Sequence, residues 1–294
     1  MNSYHTPVLL NQVIDHFKPD STKIYIDATL GNASHTIKLL QAGATVFGID
    51  LDPQNLKLAT KRIKTNNLDK KFTGINDNFK NIAIVFQKYI KEPVDGILFD
   101  LGLSRGQQVS QDRGFSFDDQ TSLDMRINPK TQTLTASQIV NTYSQAQLFD
   151  IFSKLGQEKY SQTIASTIVN TRKQNPLDTA DKLAKLIKDV YQSHHYQGRL
   201  HPATKIFLAL KIFVNQELDN LSKALKDSLD IVKTNGHIAI ITFHSTEDRL
   251  VKNFIKTQLQ KGTIQNPTKT KPGFDEIKVN PLSRSALLRS FSVV

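Results

Sequence analysis

The 294-residue chain has no cysteine and no tryptophan, and only two methionines. Without a thiol there can be no disulfide, no thiolate metal site and no cysteine nucleophile. Nor does any stretch approach the ~20 continuous apolar residues of a membrane span. The opening residues, MNSYHTPVLLNQVIDHF, show neither a basic region followed by an apolar run nor an arginine-rich transit pattern. The sequence therefore reads as that of a bacterial-type cytoplasmic protein, and it carries no internal repeat.

What is present fits a globular chain: 38% hydrophobic and 22% charged residues. The formal charge is +11, from 38 Lys+Arg against 27 Asp+Glu. Such an excess attracts polyanions such as nucleic acid, although lysine-rich solvated helix faces produce the same balance.

The first third alternates β-prone runs with helical patterns. IYIDATLG precedes a helix near His35–Gln41, ATVFGIDLD precedes one near Pro53–Asn66, and FTGIND and DGILFDLGLS follow. This alternation predicts a parallel, doubly wound α/β sheet of Rossmann-like type, whose ligands lie beyond the carboxyl ends of the strands. From about Gln107 helical spacing takes over, in segments 135–155, 157–174 and 178–192, with Thr135 and Thr179 as N-caps. The run from Lys205 to Val232 reads as one long helix or two joined ones. GHIAIITF and the terminal SALLRSFSVV return to strand. The expected organisation is a core in two parts, 1–106 and 204–294, around an inserted all-helical domain at 107–203.

Candidate chemistry gathers at the strand ends. In Asp27-Ala-Thr-Leu-Gly31-Asn-Ala-Ser-His35, Gly31 permits a tight turn and the next helix offers its first-turn N–H groups; an ordinary βα turn has the same look. The single glycine does not make the fingerprint of a nicotinamide enzyme. Asp50 stands nineteen positions beyond Gly31, where doubly wound folds place a carboxylate for ribose hydroxyls, while Asp52 before Pro53 suits a helix cap. Asp100 ends the fourth strand and faces the reacting end of a cofactor, or simply forms the turn. Arg113, Arg126 and Arg249 suit phosphate, with Phe115 or Phe117 stacking on a base. Ion pairs Asp124–Arg126 and Asp248–Arg249 are an equal alternative. His194, His195 and His201 lack an evident third ligand, so no metal is expected.

Taken in order, HTPVLL, DATLGNASH, GIDLDP, RGFSF, SLDMR, HPATKIF, VNQEL, TFHSTEDRLVK and NPLSRSALLR resemble the bacterial 16S ribosomal RNA cytosine-N4 methyltransferase family (MraW/RsmH) from His5 to Arg289. The resemblance implies a methyltransferase core with a helical insertion and S-adenosyl-L-methionine as donor. It also implies a decoding-centre cytidine of 16S ribosomal RNA as acceptor, in the small subunit or a late assembly particle, without membrane or metal. By motif, the backbone at Ala33, Ser34 and His35 would hold the methionine part of the donor, Asp50 the ribose and Phe79 the adenine region. Asp100 and Gln107 would complete the pocket. The family usually has a glycine pair where Ala33-Ser34 stands, and LGVSSPQLD where this chain reads LGLSRGQQV, which leaves Gln108 beside Gln107 as a rival match. Asp100, or a carbonyl of its turn, is the expected hydrogen acceptor for the amine, and Phe115 an aromatic platform. Methylation at cytosine C5 would need the absent cysteine. The alternative class is an RNA-binding assembly factor that kept the fold and lost catalysis.

Overall fold

The computed structural model describes residues 7–102, 113–118, 120–195, 198 and 200–294. The chain divides into two compact units, one of Met1–Ser104 with Leu218–Val294 and the other of Arg105–Glu217.

The first unit is built on a seven-stranded sheet in the order β3-β2-β1-β4-β5-β7-β6. The strands are β1 Ile24–Asp27, β2 Thr45–Asp50, β3 Phe72–Asn76, β4 Val94–Asp100, β5 Val232–Thr242, β6 Ile264–Thr270 and β7 Leu287–Val293. β1 to β5 pair in parallel, and β7 runs antiparallel to both β5 and β6. Alternate residues serve opposite faces, as the pleat requires. Tyr25, Leu98, Ala239 and Ile241 join one core with the helices α1 Leu10–Phe17, α2 Ser34–Gln41 and α3 Pro53–Thr65. Ile26, Ile97, Phe99 and Ile240 join the other, with the helices Glu217–Leu229 and Ser245–Lys261. A sheet buried on both faces explains the near-continuous apolar strands. Strand order reverses between β1 and β4, so Asp27 and Asp100 end the neighbouring strands that flank the switch point.

The second unit is helical: Ala136–Thr142, Gln145–Lys154, Ser161–Thr171, Ala180–Ser193 and Thr204–Val214. Its core packs Leu148, Phe152, Ile164, Ile187, Ile206 and Leu210. The segment expected as one helix over 135–155 breaks at Ser144, because Ser144 and Gln147 form a second capping box behind that of Thr135 and Gln138. Thr179 begins its helix without a side-chain cap and instead donates to Asp181. The return to the sheet unit falls at Leu218, not at residue 204. The reason is that Ile206, Phe207 and Leu210 belong to the helical core, and the long helical run divides into two joined helices at Asn215 and Gln216, the latter left-handed (φ 51°). β6 was not foreseen: it is an edge strand reading IQNPTKT, where exposure permits polar residues and proline. Among the described residues no helix is long and apolar enough to cross a membrane.

Candidate active site at the strand ends

The turn after β1 is built from left-handed residues. Gly31 has φ 48° and Ala33 φ 59°, and the Ala33 N–H closes the turn on the Leu30 carbonyl at 2.7 Å. A left-handed alanine costs about 1–2 kcal/mol, so a glycine at position 33 would relieve the turn. Arg62 of α3 braces the loop, donating to the Asn32 carbonyl at 2.6 Å and to Ser34 Oγ at 2.9 Å. The first turn of α2 thereby offers its amides, at Ser34 and His35, beyond the sheet.

Asp50 and Asp52 divide their roles as the sequence suggested for a cap. Asp52 caps α3, accepting from the Gln54 N–H at 2.9 Å with Pro53 in the first turn. Asp50 Oδ2 accepts from the Gly31 N–H and Oδ1 from the Asp52 N–H, each at 2.8 Å. Burial, opposed by those two amides and aided by the charges of Asp52 and Asp27, pushes its carboxyl up to about 7. Each oxygen retains a second lone pair, so the side chain can still accept hydroxyl groups. Asp27 is more enclosed: Thr36 Oγ1 donates to it at 2.6 Å, and burial raises it to about 6. Phe79 begins a 3₁₀ turn, half-buried, with its ring edge-on to Phe99 at 5.9 Å.

Asp100 differs from both. Its backbone N–H is held by Thr29 Oγ1 at 2.6 Å, yet its Oδ1 is buried with no hydrogen-bond partner. Oδ2 lies 3.5 Å from Nδ1 of His35, whose Nε2 meets the Val8 carbonyl at 3.1 Å. Burial, then the charges of Asp27 and Glu247, push the Asp100 carboxyl up to about 8. A buried oxygen left unsatisfied costs free energy and is kept where a ligand or a reaction uses it. Asp27, Thr29, Arg62 and Glu247 were not singled out from the sequence as site residues. Asp27 carried a signal as an acid closing a short apolar strand, and Thr29 and Glu247 lie within the DATLGNASH and TFHSTEDRLVK strings without a role of their own. Gln107 lies outside the described residues.

The arginines part company. Arg126 forms a forked pair with Asp124, at 2.6 and 2.7 Å, and adds a bond to the Gln132 carbonyl at 2.8 Å. Arg113 donates to the Ile127 carbonyl at 2.8 Å and lies over the half-buried Phe115 ring at 5.9 Å. Phe117 is stacked on His201 at 4.3 Å and meets Phe207 edge-on. The Asp248–Arg249 alternative is replaced by a long-range pair, Asp248 with Arg289 at 2.6 Å, and Arg249 is left exposed.

A mostly parallel sheet reversing at β1 and β4, a tight first turn and acids ending β1, β2 and β4 are the arrangement of a class I methyltransferase, the class that uses S-adenosyl-L-methionine. The chain belongs to the MraW methylase family, whose model matches residues 2–294. It is 39% identical over 297 residues to the ribosomal RNA small subunit methyltransferase H of Coprothermobacter proteolyticus, covering 98% of this chain and 95% of that protein. To the protein of the same name from Persephonella marina it is 38% identical over 287 residues, with 97% of each covered. In fold it is similar to a candidate rRNA-methylase of Clostridium thermocellum, at TM-score 0.51 and 16% identity over 99% of this chain and 100% of that one.

The site fits the donor in its own geometry. The left-handed turn leaves the first-turn amides of α2 for a carboxylate or another acceptor, and each oxygen of Asp50 keeps a lone pair for a hydroxyl. The unpartnered Oδ1 of Asp100 remains for the reacting end.

Proposed function

We propose that this protein methylates the exocyclic N4 amine of a decoding-centre cytidine in 16S ribosomal RNA, within the small subunit or a late assembly particle in the cytoplasm. The names of its relatives support the ribosomal RNA, and the net charge of +11 suits a polyanion. The observation that carries the choice of an amine is Asp100, a carboxyl at the end of β4 with a raised proton affinity and a free oxygen. Carbon methylation at cytosine C5 has no nucleophile here, since the chain has no cysteine.

When bound, the donor supplies a methyl group on a sulfonium. The protein's share is to hold the amine in line and to take its proton. The N4 lone pair is delocalised into the ring, so orientation matters; alignment of this kind supplies up to about 7–11 kcal/mol in well-ordered systems. Asp100 accepts the hydrogen bond of the amine and then its proton. Asp50, Ala33, Ser34, His35 and Phe79 hold the donor, and the family resemblance adds Gln107, which lies outside the described residues. Arg249 contacts RNA phosphate. Arg113 and Phe115, tied into their own loop, shape the RNA surface more than they donate to it, and Arg126 acts through its pairing with Asp124. The target base must leave its stack to reach the site, which a flexible RNA loop makes cheap.

The test is methyl transfer from labelled donor to small subunits lacking the modification, followed by nucleoside mass spectrometry. N4-methylcytidine is expected; donor binding without transfer, or methyl at another atom, would overturn the reading.

A further inference from the structure

The donor pocket does not explain why a histidine buried to 5% exposure stands beside the acid that ends β4. A carbonyl oxygen can only accept, so the contact between His35 Nε2 and the Val8 carbonyl, at 3.1 Å, requires the proton on Nε2. Burial pushes this imidazole down to about 4, so at neutral pH the ring carries that one proton and Nδ1 is bare. The anchor is itself fixed: Leu9, buried and left-handed at φ 55°, donates its N–H to Glu276 Oε1 at 2.7 Å. The bare Nδ1 points to Oδ2 of Asp100 at 3.5 Å.

We propose that His35 is a positioning residue for proton removal: its Nδ1 lone pair makes Oδ2 of Asp100 the seat of the proton that the carboxylate takes from the amine. This rests on the reading of Asp100 as the proton acceptor. Toward an ionised Oδ2 the Nδ1 lone pair is repulsive, whereas toward a protonated one it accepts a hydrogen bond. Both favour the protonated form and make the carboxylate a stronger base. The other charged groups facing Asp100, Asp27 from β1 and Glu247 from the Ser245–Lys261 helix, act in the same direction. As the N4–CH3 bond forms, the S–CH3 bond breaks and sulfur keeps the electron pair. The N4 proton passes to Oδ1 of the Asp100 carboxylate, and rotation of the carboxyl about Cβ–Cγ carries the protonated oxygen to the Oδ2 position, where it donates to His35 Nδ1 until solvent takes the proton after product leaves.

The test is made first on the protein without donor. Imidazole ¹⁵N shifts of His35 should be those of the neutral Nε2–H tautomer across neutral pH, and a proton on Nδ1 would overturn the proposal even if no variant folds. The Asp100 carboxyl ¹³C signal is then titrated in the native protein and in His35→Gln, which keeps a donor for Val8 and removes Nδ1. The Asp100 titration should fall by about one pH unit, and the acidic limb of turnover should move with it. An unchanged titration in folded His35→Gln would remove the positioning role alone. Near-normal turnover in Asp100→Asn would instead remove the reading beneath it.

Discussion

The ends of the strands in the sheet unit and the loop-and-helix framework of the helical unit treat polar groups in opposite ways. In the helical unit Asn215 uses its whole amide: Nδ2 donates to the carbonyls of Met125 and Lys211, and Oδ1 accepts from Ile127 N–H and Gln132 Nε2. Asp124 and Arg126 satisfy each other in the same way. At the strand ends, Asp100 keeps a buried oxygen without a partner, and three carboxyls sit above their ordinary range. The first arrangement specifies a structure. The second holds free energy in reserve for a ligand and a proton.

Substitutions in the two regions should separate activity from stability. The largest effect expected is in Asp100→Asn, whose methyl transfer should fall by about 10²–10⁴ while donor affinity, measured by calorimetry, changes little. Asn215→Ala should do the reverse in kind: it removes four hydrogen bonds and should cost about 2–4 kcal/mol in a denaturant melt. Equal loss of activity without loss of stability in Asn215→Ala would break the contrast.

Next comes pH. Asp27, Asp50 and Asp100 bind protons more tightly folded than unfolded, so each lowers stability as pH climbs from the unfolded value of 3.8 toward about 6, 7 and 8. His16 and His35, lowered to about 4, act oppositely, adding stability as pH rises from about 4 to 6.5. The two sets largely offset each other below 6.5. Above it, of these five groups, Asp50 and Asp100 still bind protons differently folded and unfolded, so their share lowers the melting temperature of the donor-free protein between 6.5 and about 8. A rising melting temperature there would contradict the raised carboxyls. The smallest effect expected is in Asp52→Ala, which loses the cap of α3 for about 1 kcal/mol, read in the same melts.

The strand ends were the more legible region, and the comparison says why. β1, β2 and β4 announce themselves by apolar runs closing on an acid, and local rules place Asp52 before Pro53 as a cap. Spacing alone suggested the ribose for Asp50, and the family resemblance added a role for Phe79. What escaped was set by tertiary pairing. Asp248 chooses Arg289, forty-one positions away, over its neighbour Arg249. His35 meets Asp100 only because α2 and β4 converge, and no local pattern encodes that meeting. The boundary at Leu218 escaped for a similar reason: the helix before it is apolar enough to suit either core, and packing decides.

The most direct test of Asp100 as the acceptor is the pH dependence of single-turnover methyl transfer at saturating donor. With Asp100 as the base, the rate should climb about tenfold per pH unit and level off where the Asp100 carboxyl of the donor complex ionises, below the value of about 8 it has without the sulfonium charge. That limb should vanish in Asp100→Asn. The same limb surviving in the variant, or single-turnover transfer in the variant as fast as in the native protein, would contradict a strand-end carboxylate as the group that takes the proton.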